Sequence, residues 1–119
     1  MATPKKVEFF IPAPSCACSG ASFLRDQEKL SRMLALMEEV EERFPGVELA
    51  RYDMADESAY SDNLKTLARY LREAGEEDFA SRIAFSLKFM LPAVAVGGKL
   101  LAYGKVPEVE EVVAAIGAV

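Results

Sequence analysis

The sequence contains no histidine and no tryptophan, and only two of its 119 residues are cysteine. The lack of histidine removes the commonest general base near neutral pH, and two cysteines alone leave zinc without a full set of ligands. Cations are also scarce, because 14 Lys and Arg stand against 19 Asp and Glu, for a net charge of −5. Without a basic patch to meet phosphates, the chain is not expected to bind nucleic acid.

Long apolar runs are absent as well, and the longest falls far short of the roughly 20 residues that a membrane-spanning helix needs. No apolar segment with a small-residue cleavage site follows the lysines near the amino terminus, so no signal peptide is indicated. We therefore expect a cytoplasmic protein with no membrane partner. The length suits a single domain over residues 1–119, large enough to bury a core of its own.

The two cysteines, Cys16 and Cys18, lie between a short apolar run and a long amphipathic pattern. Residues 7–11 are typical of a strand, which Pro12 and Pro14 end. Unpaired N–H groups and the dipole at the start of the next helix favour a thiolate, the form that attacks disulfides and binds soft metals. A disulfide between cysteines only two positions apart would cross-link no distant segments of the chain, so a structural disulfide explains them poorly. The alternative is that both pack as small apolar side chains.

Beyond the cysteines, helical and strand patterns alternate. Apolar residues at steps of three and four predict a helix over residues 21–44. Residues 47–53 alternate apolar and polar like a strand, and a second helix follows, with Asp56 or Ser58 as its cap. A third helix is predicted over residues 79–88. The chain is thus expected to place helices between its strands, as α/β proteins do.

The last part of the chain predicts a hairpin and a final helix. Two apolar runs are joined by Gly97-Gly98, whose freedom at positive φ suits a two-residue turn, and Pro92 opens the first of them. A helix from about Pro107 to Gly117 follows. The resulting order, β-α-β-α-(α)-β-β-α, predicts a mixed four-stranded sheet. Its first two strands are parallel because a long crossover separates them, and its last two are antiparallel.

This order resembles the thioredoxin fold, a three-layer α/β sandwich, over nearly the whole chain. The resemblance rests on the cysteine-bearing turn after the first strand, on Leu91-Pro92 before the hairpin, and on Gly97-Gly98-Lys99 at its turn. It implies that the Leu91-Pro92 bond is cis, that Pro92 lies against the active-site cysteine, and that this pair contacts substrate. Residues 51–55 and the Leu-Pro hairpin are similar, more distantly, to the arsenic metallochaperone family, whose pattern uses three cysteines.

Redox-active thioredoxin-like proteins typically carry Cys-x-x-Cys, whereas this chain has Cys16-Ala17-Cys18-Ser19. By position Cys16 matches the attacking cysteine and Ser19 the second one. The resemblance therefore implies thiol–disulfide exchange without a cofactor. In this scheme Cys16 attacks a protein or small-molecule disulfide, and Cys18 resolves the mixed disulfide. Two rivals stay open: carriage of a soft ion such as Cu(I) or As(III) by the same thiols, and a catalytically idle interaction domain.

Three apolar residues, Phe85, Phe89 and Met90, directly precede Leu91-Pro92. An apolar groove for a partner polypeptide is one interpretation of them. Packing in the core is the favoured interpretation, because most large apolar side chains in a helical pattern are buried. Asp53 and Asp56 follow the second strand, where capping or loop roles are expected.

Overall fold

The structure is a computed structural model that describes residues 6–12 and 21–117. Its four strands form one mixed sheet in the order β2-β1-β3-β4. Strand β1 pairs in parallel with β2 and antiparallel with β3, and β3 and β4 form the antiparallel hairpin. The pairing confirms the predicted mixed sheet. The strands are β1 (Val7–Ile11), β2 (Leu49–Asp53), β3 (Ala93–Val96) and β4 (Lys99–Tyr103).

Helices cover both faces of the sheet, which gives the three-layer sandwich that the sequence predicts. Helices α1 and α5 pack on one face, and α2, α3 and α4 pack on the other. In the part of the chain that is described, no helix combines the length and hydrophobicity needed to cross a bilayer. The helices are α1 (Ala21–Arg43), α2 (Tyr60–Glu73), α3 (Glu77–Ser81), α4 (Ile83–Met90) and α5 (Val109–Gly117).

Strand β1 lies at the centre of the structure and is buried along its whole length. Successive side chains of a strand point to opposite faces, so β1 contributes to both cores. Phe10 packs with α2, α3 and α4, whereas Val7, Phe9 and Ile11 pack with α1 and α5. A strand covered on both faces needs an almost continuous apolar run, which explains why residues 7–11 contain only one charge.

Two of the predicted helix boundaries are wrong. Helix α2 begins at Tyr60, and its N-cap Ala59 has no side chain that could accept a capping hydrogen bond. Asp56 and Ser58 bond each other instead, because the Ser58 N–H and Oγ both donate to Asp56 Oδ1, at 3.1 and 2.7 Å. The predicted third helix is divided into α3 and α4 at Arg82, whose φ and ψ of −117° and 32° are not helical.

Candidate functional site

The candidate site lies at the end of the sheet where the central strand β1 terminates. We call this end of the sheet the edge. Ile11, the last residue of β1, pairs with Asp53 at the end of β2. On its other side, the antiparallel register with β3 places Pro92 at the level of Ile11. The predicted site residues Cys16, Cys18 and Ser19 come between Pro12 and Ala21 in the sequence and lie outside the described residues. Ligands of open α/β sheets bind at the carboxyl ends of the strands, and the position of the thiols relative to this edge stays a prediction.

The Leu91-Pro92 peptide bond at this edge is cis, which confirms the prediction. The side chain of Pro92 is fully buried, and Leu91 is 6% exposed. The Leu91 N–H donates to the carbonyl of Leu87 at 3.1 Å, so α4 leads directly into the cis bond. The contact of this pair with the active-site cysteine, and with substrate, stays a prediction.

On the β2 side, the same edge carries a cavity. The Met54 N–H donates to the carbonyl of Ile11 at 3.0 Å, which ties the end of β1 to the turn after β2. A cavity of about 500 Å³ opens beside that turn. This volume lies within the range of small-molecule pockets. Its described lining combines a thioether, a carboxylate and a phenol, from Met54, Ala55, Glu57 and Tyr60.

The carboxylates near this turn are engaged locally. Asp53 Oδ1 accepts the Ala55 N–H at 2.9 Å, and Asp53 Oδ2 lies 3.3 Å from Arg51. Hydrogen bonds from Ser58 lower the pKa of the exposed Asp56. Both aspartates therefore have loop roles. Among residues 6–12 and 21–117, no group of three or more His, Cys, Asp or Glu is close enough to hold a metal ion.

A buried polar cluster on the α2 side of β1 is absent from the sequence-based predictions. Glu8 is only 4% exposed, and its carboxylate accepts hydrogen bonds from Tyr52 Oη, at 2.7 Å, and from Tyr70 Oη. Burial, followed by the hydrogen bond to Glu8, raises the pKa of both tyrosines to about 12. The sequence did carry a signal for this cluster, namely one carboxylate inside an otherwise apolar strand. A buried charge needs hydrogen-bond partners, so such a residue predicts polar side chains around it.

Residues 85–90 divide between the core and the surface. Met90 is 5% exposed and packs in the core, as predicted. Phe85 and Phe89 are 87% and 70% exposed, so the favoured interpretation of core packing is wrong for both. The inward positions of α4 belong to Ile83, Leu87 and Met90, and residues 85 and 89 fall on another side of the helix.

No protein-family model matches the chain, and no curated protein matches its sequence. Among solved structures, the arsenical resistance operon trans-acting repressor from Bacteroides vulgatus is similar, with a TM-score of 0.55. The similarity covers 98% of this chain and 96% of that protein, at 21% sequence identity. A likeness at this identity shows a shared fold. The arrangement of the present chain is thus found in a second protein over almost the full length of both.

Proposed function

We propose that Cys16 and Cys18 bind a thiophilic ion at the carboxyl end of β1, and that trivalent arsenic is the first candidate. The observation that carries the proposal is the shared fold with a protein named for arsenical resistance, in a chain whose two cysteines both lie between β1 and α1. Paired thiolates are soft ligands and select soft ions. The absence of histidine from the chain fits this selectivity, because imidazole is the usual ligand of zinc and of other borderline metals.

The binding step is a condensation without a change of oxidation state. Arsenous acid carries three hydroxyl groups, and each of two thiols replaces one of them. Two arsenic–sulfur bonds form, and each thiol proton leaves with a hydroxyl as water. One hydroxyl stays on arsenic, where a further thiol from outside the chain can replace it. The arsenic metallochaperone pattern has a third cysteine, and this chain departs from it by having only two.

Direct titration of the reduced protein with arsenite tests the proposal. We expect one arsenic per chain, a dissociation constant of roughly micromolar or tighter, and loss of both thiols to a thiol reagent. Intact mass spectrometry should show the added arsenic with loss of water. Cys16→Ser and Cys18→Ser should each weaken binding strongly, because one thiol cannot chelate. Reduced protein that binds no arsenite would overturn the proposal.

The pH dependence of binding distinguishes a metalloid from a cation. A cation such as Cu(I) displaces the thiol protons into solvent, so its affinity rises with pH. Condensation with neutral arsenous acid releases water and no net proton, so its affinity should vary little below the pKa of the thiols. Competition titrations at several pH values measure the two slopes directly.

Thiol–disulfide exchange is the second candidate function, and the position of Leu91-Pro92 at the level of Ile11 favours it. In that reaction the Cys16 thiolate attacks a substrate disulfide, forms a mixed disulfide and expels one substrate thiolate. The thiolate of Cys18 then attacks the Cys16 sulfur and expels the second substrate thiolate, leaving a disulfide between the two cysteines. Ser19 occupies the place of the second cysteine of the usual motif.

Graded glutathione buffers test this second candidate. Mass spectrometry should then reveal a redox-dependent loss of two hydrogens in the native chain. Cys18→Ser should accumulate a mixed disulfide on Cys16, because the resolving thiol is gone. Accumulation on Cys18 in a Cys16→Ser variant would reverse the two roles. Thiols that stay reduced at every potential would remove this candidate.

A further inference from the structure

Helix α4 is apolar on two sides. Its inward residues pack in the core, whereas Phe85 and Phe89 are 87% and 70% exposed. Residues four apart in a helix lie on the same face, so the two rings are neighbours. We call this pair the α4 face. A surface helix normally turns polar residues to solvent, and two large exposed rings are therefore not explained by the packing of the fold.

The α4 face is attached to the candidate site. The last turn of α4 leads into Leu91 and Pro92 at the level where β1 ends. The Gly104 N–H donates to the carbonyl of Met90 at 3.0 Å, which fastens the end of α4 to the end of β4. Phe89 is thus held three residues from Pro92, which the register of β1 and β3 places at the level of Ile11.

The size of the α4 face distinguishes between possible occupants. At about 200 Å² per phenylalanine side chain, the two rings expose roughly 300 Å² together. A stable homodimer needs roughly 800 Å² from each partner, so the face alone is too small to join two copies of this chain. Weak, transient contacts are smaller, and apolar patches of this size on monomers are often functional. Residues 83–90 include one charged residue, Lys88, and no carboxylate, so an apolar segment can dock on α4 without burying an anion of this helix.

We propose that the α4 face docks a client polypeptide whose thiols exchange with the site of Cys16 and Cys18. The proposal rests on the proposed function, and it names the partner as a chain that carries apolar side chains next to its cysteines. During transfer of arsenic, a client thiol replaces each thiolate of this chain on the metalloid. One arsenic–sulfur bond breaks and one forms, and the client's proton passes to the released sulfur.

Two synthetic dithiol peptides of equal length test the docking step. One flanks its cysteines with Leu and Val, and the other with Ser and Gly. Arsenic-loaded protein should transfer roughly tenfold faster to the apolar peptide, and the double variant Phe85→Ser/Phe89→Ser should lose this preference. Transfer to dithiothreitol should not change in the variant. Leu34→Ser on α1, a matched change of another exposed apolar residue, should keep the preference.

A second measurement separates docking from arsenic binding. The apolar peptide with its cysteines replaced by serine should shift the NMR signals of α4 in the native chain and not in the double variant. If arsenite does not bind and these shifts are still seen, the docking surface is supported and arsenic is excluded as the bound ion. Equal transfer to both peptides, or a preference retained by the double variant, would overturn the docking surface. So would sedimentation of the native chain as a dimer that the double variant dissociates, which would assign the face to a second copy.

Discussion

Glu8 places a carboxylate inside the core on the α2 side of the sheet. An unpaired charge in that position would be costly, and two tyrosine hydroxyls supply the compensating hydrogen bonds. Tyr52 comes from β2 and Tyr70 from α2, so the cluster joins these two elements to the central strand β1. The ring of Tyr52 also stacks on Phe10, with centroids 4.8 Å apart. Polar and apolar contacts thus hold the same two elements against β1.

Glu8→Gln should lower the pKa of both tyrosines from about 12 toward the ordinary value near 10, because the negative charge beside them is lost. The free energy of unfolding should fall by about 1–3 kcal/mol, since an amide cannot accept both hydroxyl protons as the carboxylate does. Ultraviolet titration of tyrosinate and urea unfolding measure the two effects. Glu48→Gln, at an exposed position, is the control. An unchanged titration curve would contradict the role given to Glu8.

Alkaline pH should weaken the fold through the same tyrosines. Their folded pKa of about 12 lies above the unfolded value of 10, so the neutral form stabilises the fold below pH 10. That contribution is lost as the pH rises from about 10 to about 12. Tyr70→Phe should be less stable near neutrality and should lose stability less steeply over this window. Urea unfolding at several pH values checks the slopes, with the exposed Tyr60→Phe as the control. If the unfolding free energy fell equally steeply with pH in the native chain and in Tyr70→Phe, the raised pKa of Tyr70 would not contribute to the alkaline loss of stability.

At the scale of elements, Gly104 joins the end of α4 to the end of β4. Its φ is 73°, and a Cβ at this position would overlap the carbonyl oxygen of Phe89. Gly75 has a similar φ of 87° with nothing near its hypothetical Cβ. The two glycines therefore separate the cost of the backbone conformation from the cost of a steric clash.

Gly104→Ala should destabilise the protein by about 2–4 kcal/mol, from about 1–2 for the left-handed backbone and the rest for the displaced carbonyl. Gly75→Ala should cost only the backbone share, about 1–2 kcal/mol. Chemical denaturation measures both values. NMR shifts in α4 and at Leu91 should accompany the first substitution and not the second. Equal losses of unfolding free energy in the two variants would show that α4 moves away from the added Cβ without a further cost.

Helices and strands with a regular spacing of apolar residues were predictable from the sequence, whereas the junctions between them were not. The run at residues 7–11 and the Gly97-Gly98 turn fix a strand and a hairpin through local preference alone. The cis bond before Pro92 was predictable only through resemblance. The break at Arg82 interrupts a continuous helical pattern, so no local pattern marks it. The exposure of Phe85 was also not predictable, because Ile83, Leu87 and Met90 are the residues of α4 that meet the core.

At the scale of the whole molecule, β1 belongs to two cores at once. Phe10 lies in the core formed with α2, α3 and α4, and the neighbouring Phe9 lies in the core formed with α1 and α5. The strand that ends at Ile11 is therefore supported by both layers of helices. Neither layer can separate from the sheet without exposing one side of this strand. The two cores should consequently unfold together, as expected of one domain.

This coupling predicts a single unfolding transition for residues 1–119. Leu71→Ala empties a fully buried position in one core, and Val112→Ala does so in the other. Each should lower the stability by about 2–4 kcal/mol and move the whole transition, because both cores depend on β1. Circular dichroism and tyrosine absorbance should report the same midpoint in each variant. Val113→Ala, at the next and only partly buried position of α5, should cost clearly less. A variant in which one probe shifts and the other does not would show that the two layers of helices unfold independently, and that the end of β1 at Ile11 can lose one layer while keeping the other.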